Sequence, residues 1–223
     1  MSGDADISAV ASAIGHPARG AMLQALMDGR ALTAGELARV ARVARPTASG
    51  HLTRLTSAGL VAVESHGRHR YHRLADERVA AAVEGLAAIA PVGPVKTLRE
   101  SDQRIAERAA RSCYDHLAGA AGVALADRLV ALGALERRSL ALTDAGPFAA
   151  LGVDVATIGG RRPLTRPCLD WSERRLHLAG GLGAAVLDRL LGAGWLERRP
   201  AGRALAVTAN GRRALRDTVG LEL

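Results

Sequence analysis

The stretch LTAGELARVARVARPTASGHLTRLTSAGLVAVESHGRHRYHRL, residues 32–74, decides the fold of the first part of the chain. Thr33 stands three residues before Glu36, with Leu37 and Val40 following, which is the capping-box signature of a helix start. Residues 43–45 read as a tight turn. Pro46 then opens another helix, at a position where its missing N–H does no harm. Leu52 and Leu55 face inward from that helix and Gly59 closes it. Beyond Gly59 the apolar period changes: Leu60, Val61 and Val63 predict a strand, residues 65–68 a turn, and residues 70–74 a returning strand. Two helices across a tight turn, followed by a two-stranded wing, make a winged helix-turn-helix.

The flanks complete the unit. Ile7, Val10 and Ile14 recur at helical spacing, Gly15 breaks that helix, and Pro17 suits the first turn of the next. Ala21, Leu23, Leu26 and Met27 form the apolar face of the second helix, which Gly29 ends. On the far side, Asp76 caps a fifth helix with Val79, Val83, Leu86 and Ile89 as its apolar stripe. The helix from Pro46 turns Thr47, Ser49, Gly50, His51 and Arg54 outward. Small hydroxyl residues at a helix start allow close approach to the major groove of duplex DNA, to hold phosphates or read base edges. Arg45 precedes them, and the wing tip carries His66, Arg68, His69 and Arg70, suited to the minor groove or the backbone.

Bulk properties set weaker bounds. The 223 residues carry a formal net charge of +8, which favours a polyanionic partner. Lys96 is the only lysine, so arginine carries the rest of this basicity and charge alone says little. Residues 1–6 are polar and acidic, unlike a secretory signal, and no apolar run of about 20 residues suggests a membrane span. Two cysteines are too few for a secreted disulfide scaffold, so the cytoplasm is the expected compartment. No phosphate-binding glycine loop, G-x-S-x-G or H-E-x-x-H occurs, which argues against an enzyme.

Residues 6–90 resemble the DNA-binding domain of the ArsR/SmtB repressors, through the Pro17 start of the second helix, the run PTASGHLTRLTSAGLV and the wing GRHRYHRL. The resemblance implies a homodimer joined through its first and fifth helices, bound to an inverted repeat, and repression relieved by an inducer. The chain departs from that family where members often sense metal. The third helix has Glu36, Leu37, Ala38, Arg39 and Val40 in place of a cysteine pair. The fifth, over residues 78–90, has no histidine and a single acid, Glu84.

Pro91, Gly93 and Pro94 mark a linker over residues 91–95. Beyond it the chain repeats itself. HLAGAAGVALADRLVALGALERR from His116 and HLAGGLGAAVLDRLLGAGWLERR from His177 share 14 of 23 positions. Each copy runs on to a short strand and a Thr-x-x-Gly signal, at residues 143–146 and 208–211. The expected architecture is mainly α with small β wings: a winged helix-turn-helix over residues 1–90, then a domain over 96–223 of two degenerate winged-helix-like repeats, about 111–150 and 166–219. The repeats have glycine-rich helix starts, such as residues 179–183, that are poor readers of DNA. Packing and sensing are their expected role.

Upstream of each copy lies R-x-C-x-D: Arg111, Cys113 and Asp115, then Arg166, Cys168 and Asp170. Asp115 is followed directly by His116, whereas residues 171–176 intervene between Asp170 and His177. The expected local form is a helix, on which Arg111 and Asp115 pair four apart and Cys113 and His116 share one face. Three readings compete. In one, the cysteines and histidines are structural. In another, Cys113, His116, Cys168 and His177 hold zinc or another thiophilic metal or metalloid ion, with Asp115 and Asp170 as further ligands or as orienters, and Arg111, Asp115, Arg166 and Asp170 as the residues that support the site or meet an effector. In the third, the domain takes a small organic inducer, with Tyr114, Trp171 and Trp195 as candidate lining, or the two thiols form a redox switch. The run CYDHLAG, residues 113–119, is similar to one in ArsR-like regulators with long C-terminal extensions. That implies an extension belonging to the regulator. The expected function is a dimeric DNA-binding repressor released by an effector; sequence-independent architectural binding is the alternative class.

Overall fold

The structure, a computed structural model, describes residues 6–67, 69–91, 93, 97–200 and 202–223. The chain divides into two compact units, Met1–Val83 and Glu84–Leu223.

The first unit runs α1 (Ile7–Ile14), α2 (Pro17–Ala25), a 3-10 turn (Leu26–Asp28), β1 (Leu32–Thr33), α3 (Ala34–Ala41), α4 (Arg45–Ser57), β2 (Val61–His66) and β3 (His69–Leu74), then enters α5 (Glu77–Ile89). The stop and start signals act as expected. Gly15 ends α1, and Pro17 lies in the first turn of α2. At α3, Thr33 Oγ1 accepts from the Glu36 N–H at 3.3 Å while Glu36 Oε2 accepts from the Thr33 N–H at 2.8 Å. Losing such a cap costs about 1 kcal/mol. The three strands form an antiparallel sheet in the order β1-β3-β2, with Val61 opposite Leu74 and His66 opposite His69. Met22, Leu23, Leu37, Leu52, Leu55 and Leu74 fill the core. Buried Arg19 on α2 donates to the Ser12 and Ala13 carbonyls, satisfying the otherwise open last turn of α1.

The second unit continues from α5 through α6 (Leu98–Ala109), β4 (Arg111–Cys113), β5 (His116–Ala118), α7 (Gly119–Ala131), α8 (Gly146–Ala150), a 3-10 turn (Val155–Thr157), β6 (Arg166–Leu169), β7 (Leu176–Ala179), α9 (Gly180–Gly192), β8 (Leu196–Arg198), β9 (Leu205–Val207) and α10 (Ala209–Val219). The division from the first unit falls inside α5, and of the expected linker residues 92, 94 and 95 lie outside the described set.

The duplication is visible residue by residue. Both α7 and α9 have 13 residues and begin on a glycine at positive φ, Gly119 at +78° and Gly180 at +86°. Thr143 Oγ1 donates to the Gly133 carbonyl, and Thr208 Oγ1 to the Gly194 carbonyl. The ribbon after each helix is shorter in the first copy, a single bridge between Leu135 and Leu142, than in the second, where β8 pairs with β9. The copies pack crosswise: β5 lies against α9, β7 against α7, and β5 beside β7. Leu117, Leu129, Phe148, Leu178, Leu182 and Leu190 belong to the one core they share.

The expected helix over R-x-C-x-D is corrected. Each copy opens with an antiparallel hairpin, β4–β5 and β6–β7. Cys113 faces His116 across a two-residue loop, Tyr114 and Asp115, with Tyr114 at φ +62°. In the second copy Cys168 faces His177 across a longer loop. A spacing of three fits a helix turn and a two-residue hairpin loop equally well. The six extra residues in the second copy are tolerated only by a hairpin, and the alternation of Arg111 with Cys113, and of Arg166 with Cys168, is that of a strand.

Candidate functional site

In the first unit, α4 buries Ala48, Leu52 and Leu55 and leaves Arg45, Thr47, Ser49, Gly50 and Arg54 exposed. Its N-cap, Ala44, offers no side-chain acceptor, so the first N–H groups of α4 keep their positive end outward. His51 is half-buried: its ring lies 4.4 Å from that of His16, and Nδ1 is 3.4 Å from Arg19 Nη1. Burial first, then the charges of His16 and Arg19, hold His51 below the usual imidazole range. Arg45 brings positive charge to the start of α4, and Arg54 carries it in the last turn. The wing ends at Gly67, and Arg70 on β3 is exposed; Arg68 lies outside the described residues.

In the second unit, the two hairpins bring Cys113, His116, Cys168 and His177 together. One ligand atom from each lies within 4.8 Å of all the others, and all four side chains are buried. The imidazoles stack with centroids 5.0 Å apart, and the two Nε2 atoms are 3.2 Å apart. The shared contact with Cys168, and then burial, push the Cys113 thiol up to about 12. Gly183 makes this approach possible. A Cβ there would stand 2.6 Å from the Leu178 carbonyl oxygen and 3.2 Å from the His116 Cβ.

Each histidine has a carboxylate behind it. His116 Nδ1 is 3.3 Å from Asp115 Oδ1, and His177 Nδ1 is 3.8 Å from Asp170 Oδ2. The expected Arg111–Asp115 pair does not form, because a hairpin does not place those residues side by side. Asp115 pairs with Arg162, while Arg111 donates to Glu84 Oε1 at 2.7 Å and to Asp170 Oδ2 at 3.0 Å. Asp170 also accepts from the Gly119 N–H at 2.7 Å and, through Oδ1, from Ser172 and Glu173. Burial opposes its charge, yet the Arg111 guanidinium and these hydrogen bonds hold its carboxyl well below the usual carboxylate range. Arg203 lies 3.4 Å from the other oxygen of Glu84, so two arginines balance two carboxylates. Arg166, the counterpart of Arg111, stays half-buried and joins neither; its Nε has no hydrogen-bond partner among the described residues. Sequence reasoning missed Glu84, Arg162 and Arg203. Glu84 alone left a trace, as the single acid in its helix.

A family model described as "Helix-turn-helix domain" matches residues 14–64. The HTH-type transcriptional regulator YdfF of Bacillus subtilis (strain 168), described as uncharacterized, is 43% identical over 223 residues, covering 98% of this chain and 99% of its own. Among solved structures, the homodimeric winged helix-turn-helix fragment of Mb0332 from Mycobacterium bovis, a possible ArsR-family regulator, is 27% identical with a TM-score of 0.35, over 40% of this chain and 89% of that one. The cadmium sensor CMTR of Mycobacterium tuberculosis is 30% identical with a TM-score of 0.33, over 42% of this chain and all of that one. No helix among the described residues is long and apolar enough to cross a membrane.

Proposed function

This chain belongs to the HTH-type transcriptional regulators, DNA-binding proteins rather than enzymes, and we propose that it is a dimeric repressor whose second unit senses a thiophilic divalent metal ion. The observation that carries the sensing role is the buried tetrad of Cys113, His116, Cys168 and His177. Two thiolates balance a dication, so an ion there leaves no net buried charge, and two sulfurs with two imidazole nitrogens suit zinc or a similar ion.

For DNA, Arg45, Thr47, Ser49, Gly50 and Arg54 support reading of the major groove by α4, with Arg70 on the adjacent backbone. For dimerisation, Ile7 and Val10 on α1 are 76% and 39% exposed, and Leu86 and Ile89 on α5 are 45% and 81% exposed. Apolar side chains left this open favour a covering partner, and the Mycobacterium bovis protein is described as homodimeric.

The test has two parts. Selection of bound duplexes from a random pool is expected to yield a twofold-symmetric consensus; a pool without one favours sequence-independent binding. Elemental analysis of the reduced, purified chain is expected to find one zinc per chain, lost in Cys113→Ser and in Cys168→Ser. Absence of metal from the wild type, or its retention in both variants, overturns the sensing role.

A further inference from the structure

The tetrad is joined to a buried chain of charges that ends on α5. His177 Nδ1 is buried with no hydrogen-bond partner among the described residues, 3.8 Å from Asp170 Oδ2. That same oxygen accepts from Arg111 Nη2 at 3.0 Å and from the Gly119 N–H at 2.7 Å. Arg111 Nη2 is in turn shared with Glu84 Oε1 at 2.7 Å. Arg111, Asp170 and Glu84 are all buried. Glu84 sits on α5, the helix whose start, residues 77–83, belongs to the DNA-binding unit.

We infer that the chain His177–Asp170–Arg111–Glu84 transmits occupancy of the tetrad to α5, with Arg111 and Glu84 as the positioning residues. The inference rests on the tetrad being an ion site. The two Nε2 atoms, 3.2 Å apart, cannot both present lone pairs to each other, so without an ion one of them carries a proton. With both Nε2 atoms committed to a cation, each neutral ring keeps its only N–H on Nδ1. For His116 that N–H meets Asp115 Oδ1 at 3.3 Å. For His177 it is aimed at Asp170 Oδ2, too far for a hydrogen bond unless the gap closes.

Closing the gap brings a third donor to an oxygen that already accepts two. Of those two, the Gly119 N–H is fixed at the start of α7, whereas the Arg111 guanidinium has a second carboxylate to turn to. Arg111 therefore shifts toward Glu84. The ring of Trp171 lies over this guanidinium, 4.9 Å from Arg111 Cζ, and reports on its position.

The experiment uses the full chain, Zn(II) and Co(II) as probes, and a duplex selected by the ion-free wild type. In the wild type, Zn(II) is expected to change duplex affinity about tenfold or more, within the usual range of allosteric coupling. In Glu84→Gln, which keeps an acceptor for Arg111, the Co(II) thiolate absorption and stoichiometry stay as in the wild type while the zinc effect falls below about twofold. Arg111→Lys, which keeps the charge but cannot bridge two carboxylates, is expected to behave likewise. Full zinc control of the duplex in a Glu84→Gln chain that loads Co(II) normally overturns the inference. A second measurement does not depend on either variant folding. In Trp195→Phe, where Trp171 is the remaining tryptophan, emission is expected to change in step with Co(II) or Zn(II) loading; a flat signal through saturation overturns the inference. A wild type that binds neither ion fails at the earlier reading, a result distinct from normal loading without coupling.

Discussion

The hairpins β4–β5 and β6–β7 carry the same pattern and bring the same two side chains to the tetrad, one cysteine and one histidine each. Their surroundings differ. Asp170 is fully buried, held by Arg111, and accepts from the first N–H of α7, a helix of the other copy. Asp115 is 29% exposed and paired with Arg162. At the start of α9 the Gly181 and Leu182 N–H groups donate to the Pro163 and Leu164 carbonyls. One hairpin is thus tied into the interior through charge, and the other is left with a loop arginine for company. The two copies share the cysteine and the histidine and differ in what supports them.

Four experiments break or sharpen that contrast. The largest expected effect is where the hairpins are alike. Cys113→Ser and Cys168→Ser should each lower zinc affinity more than about 1000-fold, beyond the 10–100-fold typical of losing a ligand's hydrogen-bond partner. Competition with a chelator measures both, and a large difference between them removes the equivalence. The supports should then separate. Asp170→Asn is expected to cost about 3 kcal/mol of stability at pH 7, because it leaves the two arginines, Arg111 and Arg203, with Glu84 as the one buried carboxylate between them. Asp115→Asn should cost about 1 kcal/mol or less, since its partner is open to solvent. Thermal melts of equal size for the two would end the contrast. The sign with pH follows from the depressed Asp170 carboxyl: its contribution is present above the ordinary carboxylate pKa and is lost as pH falls through its folded value.

Third, Gly183→Ala forces a Cβ against the Leu178 carbonyl and His116 and should cost about 2 kcal/mol. Gly50→Ala on α4, with open space around it, should be neutral or stabilise by up to about 1 kcal/mol. Melts of the two variants compare a helix start built to be touched by its own chain with one left bare. Fourth, zinc affinity should rise about tenfold per pH unit on account of Cys113 alone, since a thiol near 12 must surrender its proton at every pH around neutral. A flat Co(II) titration between about pH 6.5 and 8 would show that Cys113 gives no thiolate.

Much of the first unit was legible because its signals are local. Thr33 and Glu36 are three residues apart, Pro17 and Pro46 act on their own helix turns, and Gly67 turns the wing by itself. The tetrad residues could be named from the repeat, but their local form could not be read from Cys-x-x-His alone. The insertion between Asp170 and His177 held the answer, since a helix interrupted by six residues loses its face and a hairpin does not. The charge chain was out of reach. Arg111 meets Asp170 59 residues away and Glu84 27 residues away, and its i+4 neighbour Asp115 offered a nearer, wrong partner.

The crosswise packing, α9 on β5 and α7 on β7, gives the second unit the logic of a self-complementary subunit interface folded into a single chain. What position i of one copy does to position j of the other, j of the first does to i of the second. Gly122→Ala and Gly183→Ala each press a Cβ onto the carbonyl of their own copy's leucine, Leu117 or Leu178, while at Gly183 the His116 Cβ of the other copy also stands 3.2 Å away, so the difference between their costs reports how far the halves depart from a symmetric pair.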